Sequence, residues 1–116
     1  MSSYNVVEDD TRGIFAELLK AKWGQVSYLE VQPVNVRGGH YHKRKNEIFI
    51  LLDGNCKLLL KNGDNTTIEI KMKRFNRYVV PIETMHTLVN ESDEVAKILV
   101  YCNECYNPED EDTYVG

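Results

Sequence analysis

The sequence predicts an all-β fold, a sandwich or barrel of antiparallel strands, and three observations predict it. Short runs rich in β-branched, aromatic and aliphatic residues recur along most of the chain. Turn-forming Gly and Asn separate several of these runs. Pro33 and Pro81 stand at run boundaries, where a missing N–H does least harm to a strand ladder. Close, regular spacing of such runs favours a sandwich or barrel over alternating strands and helices. With 116 residues, 42% of them hydrophobic, the chain can fill one modest core and not two, so residues 1–116 are read as a single domain.

In chain order, the first periodic stretch is Ile14 to Lys22 (IFAELLKAK), whose apolar spacing fits either a helix or a strand ending near Leu19. Strands are expected at Gln25–Val31, Glu47–Leu52, Cys56–Leu60, Thr66–Met72, Arg77–Val80 and Val95–Cys102. Asp53-Gly54-Asn55 joins two of these runs and Asn62-Gly63-Asp64-Asn65 the next two. Both read as hairpin turns, because Gly and Asn tolerate positive φ. The acidic stretch Pro108–Asp112 reads as solvated surface.

Several function classes are disfavoured at once. A formal net charge of −4 argues against general nucleic-acid binding. No run of 18 apolar residues is present, so no membrane-spanning helix is expected. Met1–Asp10 lacks the basic start and apolar stretch of a signal peptide, and a cytoplasmic location is expected. Cys56, Cys102 and Cys105 make an odd count that does not suit a disulfide framework. Cys102 and Cys105 form a lone CxxC without the second pair a structural zinc site needs, so all three are read as free thiols.

The chemistry concentrates elsewhere. The chain has three histidines, His40, His42 and His86. A spacing of two on a strand puts His40 and His42 on one face and turns Tyr41 away from it. Glu47 opens the apolar run that follows, where packing alone gives no reason for a carboxylate. His86 lies on a further strand-like run and could close the set from across a barrel. An HxH pair by itself reads most simply as surface histidines, but here every histidine in the protein joins the pattern. Three imidazoles and one carboxylate suit a divalent metal, zinc first, with iron, manganese, nickel or cobalt also accommodated.

At these residues the sequence resembles the cupins. Their first motif, HxH-x(3,4)-E-x(6)-G, is matched by His40-Tyr41-His42, four residues, Glu47, six residues and Gly54. Their second, P-x-G-x(2)-H-x(3)-N, is matched by Pro81, His86 and Asn90. The departures are all at glycines: Glu83 stands inside the second motif, and Val34 and Phe75 stand where each motif usually opens. A narrower resemblance extends over nearly the whole chain. Asp10-Thr11-Arg12-Gly13-Ile14-Phe15-Ala16-Glu17 looks like the opening of nucleotide-sugar epimerase cupins such as dTDP-4-dehydrorhamnose 3,5-epimerase. Gly24–Ser27, Arg37–His42, Lys45–Glu47 and the ending from Asn103 to Tyr114 are similar to the C-terminal cupin domain of capsular-polysaccharide biosynthesis proteins of the CapF type.

The resemblance implies a cupin-type antiparallel jelly-roll barrel with a metal held by His40, His42, Glu47 and His86. It also implies epimerisation or isomerisation next to the ketone of a nucleotide-linked 4-keto-6-deoxyhexose, in a homodimer whose N-terminal strand reaches towards the neighbouring site. The reductase domain that accompanies such cupins is not in this sequence, so action alone or beside a separately encoded reductase is expected. With every histidine assigned to metal, the base must be another group, and Lys45 and Glu17 are the side chains considered, beside a metal-bound hydroxide. Arg12 and Arg37 are the candidates for gripping a diphosphate through bidentate guanidinium contacts. Lys43 and Arg44 lie between ligands of the site, whereas Lys71, Lys73, Arg74 and Arg77 read as surface. Two other functions fit the same ligands: a non-catalytic metal-containing cupin that binds a sugar or metabolite, and a metal-dependent dioxygenase.

Overall fold

The computed structural model describes residues 5–115, so Met1–Tyr4 of the N-terminal segment, and Gly116, lie outside the described residues. Eleven strands account for its regular structure: β1 Asn5–Asp10, β2 Gly13–Ala21, β3 Gly24–Val31, β4 Asn35–Tyr41, β5 Glu47–Asp53, β6 Lys57–Lys61, β7 Thr67–Lys71, β8 Arg77–Val80, β9 Met85–Asn90, β10 Ala96–Cys102 and β11 Tyr114–Val115. They form a six-stranded sheet in the order β1-β2-β3-β10-β5-β8 and a five-stranded sheet in the order β11-β4-β9-β6-β7. Neighbouring strands are antiparallel throughout. The all-β expectation is met, and the six expected strands fall within a residue or so of their observed ends.

The ambiguous stretch near the N-terminus is strand β2, and the reason for its ambiguity is visible. Its register against β3 shifts between Glu17 and Leu19, a bulge that breaks the period of two. Leu18 and Leu19 are then both exposed, so the apolar pattern does not report one buried face.

One of the two expected hairpins is corrected. Asn62–Asn65 does join an antiparallel pair, β6 with β7. Asp53-Gly54-Asn55 does not, because β5 and β6 belong to different sheets. This turn carries the chain across the sandwich. Gly54 has φ of 86°, and a Cβ there would lie 2.4 Å from the Val95 carbonyl oxygen. Local turn chemistry was read correctly, but it does not say which strand the chain pairs with next.

The interior is zoned along the strands. On β3 the inward positions run Gln25, Ser27, Leu29, Val31, polar at one end and apolar at the other. β5 repeats this with Glu47, then Phe49 and Leu51, and β9 with His86, then Leu88. The apolar zone is the core, where Val31, Leu51, Leu58 and Ile98 are essentially fully buried. Each such side chain contributes about 1.5–3 kcal/mol by leaving water. Asn90 closes that end: its amide donates to the Val31 and Glu94 carbonyls, and its oxygen accepts from the Ser92 amide. Every one of its polar atoms is used, which explains a buried Asn in an apolar neighbourhood.

Candidate metal centre

Three strands and one loop bring the four expected ligands together at the polar end. His40 is on β4, His42 follows directly after it, Glu47 opens β5 and His86 is on β9. β4 and β9 are paired, with His40 opposite His86. That register depends on a bulge: Gly38 pairs with Thr87, the next pair is His40 with His86, and Gly39 is the extra residue. The bulge changes parity, so Arg37 and His40, three apart, both line the same cavity. Gly38 and Gly39 have φ of 114° and 75°, and a Cβ on Gly38 would sit 2.6 Å from the His86 carbonyl oxygen. Only glycine fits there.

One ligand atom from each of His40, His42, Glu47 and His86 lies within 4.8 Å of the others. His42 Nε2 and His86 Nε2 stand 2.8 and 3.3 Å from the same oxygen, Glu47 Oε1. Yet His42 Nε2 and Glu47 Oε1 are buried without a hydrogen bond of acceptable direction, as is His86 Nδ1. Buried polar atoms are rarely left so. Imidazole nitrogens and a carboxylate oxygen gathered this closely, with His42 Nε2 and Glu47 Oε1 left unpaired, fit a divalent cation.

The protonation states of His40, Glu47 and His86 agree, and His42 is held by its carboxylate neighbour. Burial pushes His86 down to about 4. Burial, and then the neighbouring His42, also lowers His40. For Glu47 burial opposes ionisation, but the His42 contact and the three imidazoles outweigh it and hold the carboxyl below its usual range. Burial likewise opposes a proton on His42, but its Glu47 partner prevails and raises it. An ionised carboxylate beside neutral His40 and His86 is the state a metal requires.

The cluster lines a cavity of about 440 Å3. Arg12, Glu17, Arg37 and Lys45 line it too. Lys45 is buried, with its ammonium 5.6 Å from the Tyr106 ring centroid. Glu17 accepts from the Asn5 amide and lies 3.4 Å from Lys20 Nζ. Arg12 pairs with Asp10 at 2.7 Å and with Glu8 at 3.1 Å. Arg37 is buried, donating from Nε to the Glu30 carbonyl, from Nη2 to the Gly13 carbonyl and from Nη1 to Glu8. Tyr41 turns away, as strand alternation requires, and stacks on Tyr114. Exposed Arg44 pairs with Glu104, exposed Lys43 lies over Tyr114, and Lys71, Lys73, Arg74 and Arg77 are on the surface. The three cysteines are free.

Sequence reasoning missed three residues. Gln25 and Ser27 are buried polar side chains on the cavity wall, hydrogen-bonded to each other at 2.9 Å. Their signal was a pair of polar residues in the inward phase of an otherwise apolar strand. Asp112 corrects the reading of Pro108–Asp112: residues 108–111 are exposed, but Asp112 is 0% exposed. Its carboxylate accepts from the backbone N–H groups of Lys43, Arg44 and Lys45, and its carbonyl oxygen lies 2.6 Å from His42 Nδ1. One acidic residue among four gave no sign of burial, because its partners are more than sixty residues away.

Comparison with known proteins settles the relationship. Residues 8–114 match the polysaccharide biosynthesis C-terminal domain family. The chain belongs to that family. A curated member from Pseudomonas aeruginosa, a UDP-2-acetamido-2,6-beta-L-arabino-hexul-4-ose reductase, is 33% identical over 97% of this chain and 32% of its own length. The capsular polysaccharide assembling protein CapF of Staphylococcus aureus superposes with a TM-score of 0.89 at 28% identity, covering 93% of this chain and 33% of CapF. This family domain thus spans about a third of the length of the relatives it matches. An oxalate decarboxylase from Bacillus subtilis shares the fold at a TM-score of 0.79 and 17% identity, over 89% of this chain and 29% of its own. The fold is the cupin jelly roll. No helix among the described residues is long and apolar enough to cross a membrane.

Proposed function

We propose that this domain is a metal-containing epimerase or isomerase acting next to the ketone of a nucleotide-linked 4-keto-6-deoxyhexose in surface polysaccharide biosynthesis. The observation that carries this reading is the cluster of unpartnered ligand atoms on a cavity that also presents Lys45, Glu17, Arg12 and Arg37. Support for the substrate class comes from the Pseudomonas relative, whose name describes a UDP-linked hexul-4-ose, a sugar with its carbonyl at C4.

Inverting a centre beside a ketone requires taking an acidic proton from carbon and returning one to the opposite face. His40, His42, Glu47 and His86 would hold a divalent ion, zinc above all, that polarises the carbonyl as a Lewis acid. The three imidazoles are then occupied, and the proton at C3 or C5 falls to Lys45 or Glu17. Of the two, Lys45 is the better placed for transfer, because it is buried on the cavity wall and its ammonium has no hydrogen-bond partner among the described residues. Arg12 and Arg37 would serve the diphosphate, which requires part of their present pairing with Glu8 and Asp10 to be exchanged.

The test is incubation with UDP- or dTDP-4-keto-6-deoxyhexoses in heavy water. Deuterium entering at C3 or C5, and lost in Lys45→Met or Glu17→Gln, is the expected outcome. No incorporation with any such sugar, together with tight binding, would replace the enzyme by a non-catalytic sugar-binding cupin. A cytoplasmic homodimer, working alone or with a reductase, completes the proposal. Exposed Val6 and Val7 on β1 and Leu18 on β2 favour a covered edge, and a monomer at all concentrations in sedimentation would remove the dimer.

A further inference from the structure

Asp112 stands out because a buried carboxylate far from the ligands in sequence holds the loop that joins two of them. Its Oδ1 accepts the Lys43 N–H at 3.0 Å, and its Oδ2 accepts those of Arg44 and Lys45 at 2.7 and 3.0 Å. Three consecutive N–H groups aimed at one anion make a nest, closed here by the protein's own side chain. These three residues are most of the link between His42 and Glu47. The same residue's carbonyl oxygen faces His42 Nδ1 at 2.6 Å, which makes that nitrogen the donor. Nε2 of His42 is left with its lone pair directed at Glu47 and the cluster.

The rest of the C-terminal segment acts in the same sense. Asn103 Oδ1 accepts the Asn46 N–H beside Glu47, and Glu104 pairs with Arg44. Tyr114 and Val115 pair with Tyr41 and His40 along the outer edge of β4. Residues 103–115 therefore strap both ends of the ligand loop, and the strap's one fully buried charge is Asp112. Without its carboxylate, three N–H groups in the loop lose their partner, and any that stays buried is left unsatisfied.

We infer that Asp112 is a positioning residue for the metal centre, and that docking of the C-terminal strap and binding of a divalent cation form one coupled equilibrium. The inference rests on the metal reading of the site. Coupling is reciprocal: whatever the strap adds to cation affinity, the cation returns to strap docking. Asp112 does not touch the cation; it fixes the tautomer of one ligand and the path of the chain to the next.

The experiment measures zinc affinity by chelator competition, and the visible spectrum of the cobalt-loaded form, on the full chain. Wild type is compared with Asp112→Ala, Asp112→Asn and Asp110→Ala, the last an exposed carboxylate on the same strap. We expect Asp112→Ala to weaken zinc about ten- to a hundredfold and to change the cobalt spectrum, as loss of a group that orients a ligand does. Asp112→Asn, which keeps an acceptor oxygen, should recover part of the loss, and Asp110→Ala should stay within twofold. In wild type, zinc should slow hydrogen exchange at the amides of Lys43, Arg44, Lys45 and Tyr114. Asp112→Ala binding zinc within twofold of wild type, or zinc-independent exchange at those amides, overturns the inference. Should Asp112→Ala not fold, the wild-type exchange measurement decides. Wild type that takes up no zinc or cobalt brings down the metal reading itself, a result distinct from a wild type and variant that bind alike.

Discussion

Val34, Phe75 and Glu83 have φ of 55°, 69° and 60°, the left-handed region that L residues avoid. These are the three positions where the cupin motifs carry glycine, so the turns take glycine's conformation with other residues in place. Val34 is the most strained by type, being β-branched, and the least useful, being 81% exposed. Replacing an L residue there relieves about 1–2 kcal/mol, against about 0.5–1 kcal/mol of added chain entropy for glycine. Val34→Gly should therefore stabilise the domain by about 0.5–1 kcal/mol, seen as a higher urea midpoint at unchanged slope. Cys56 offers a second test at this scale. Burial pushes its thiol up to about 11, so at pH 8 roughly one molecule in a thousand is thiolate, against about a quarter for an unperturbed cysteine. Alkylation followed by mass spectrometry should find Cys56 at least about a hundredfold slower in the folded protein than in urea.

At the scale of elements, β4 is the piece on which the site depends. Its Gly38-Gly39 bulge sets His40 against His86, and the two glycines are not equivalent. A Cβ on Gly38 meets the His86 carbonyl at 2.6 Å, whereas one on Gly39 meets nothing within 4 Å. Gly38→Ala should cost upwards of about 2 kcal/mol and abolish metal retention, because the clash displaces a ligand strand. Gly39→Ala carries only the positive-φ penalty, about 1 kcal/mol, and should keep the metal. Thermal melting and metal content on both variants would show the separation. The strands were legible because burial alternates along them. The bulges in β2 and β4 were not, since an extra residue leaves no mark on composition and shows only in the register with a partner strand.

For the whole molecule, a cation bound to the folded state alone adds stability by mass action, about 2.7 kcal/mol at a free concentration a hundred times Kd. Zinc should raise the melting temperature and a chelator should lower it. His42→Ala should erase both shifts and leave the purified protein without stoichiometric metal. A zinc-induced shift that survives in His42→Ala would place the binding elsewhere than on these four ligands.

The sequence by itself determined the all-β class, the positions of six of the eleven strands and the four residues that could hold a metal. These are short-range facts: a period of two, a turn glycine, and ligand spacings of two and five residues within one loop. Only the tertiary structure decided which strands share a sheet, so the turn at Gly54 proved to be a crossing and not a hairpin. It also decided that Asp112, which reads as one more acid in an exposed tail, is the buried anchor of the ligand loop. A carboxylate is buried only where donors converge on it, and here they are the amides of Lys43, Arg44 and Lys45, brought to it by folding alone.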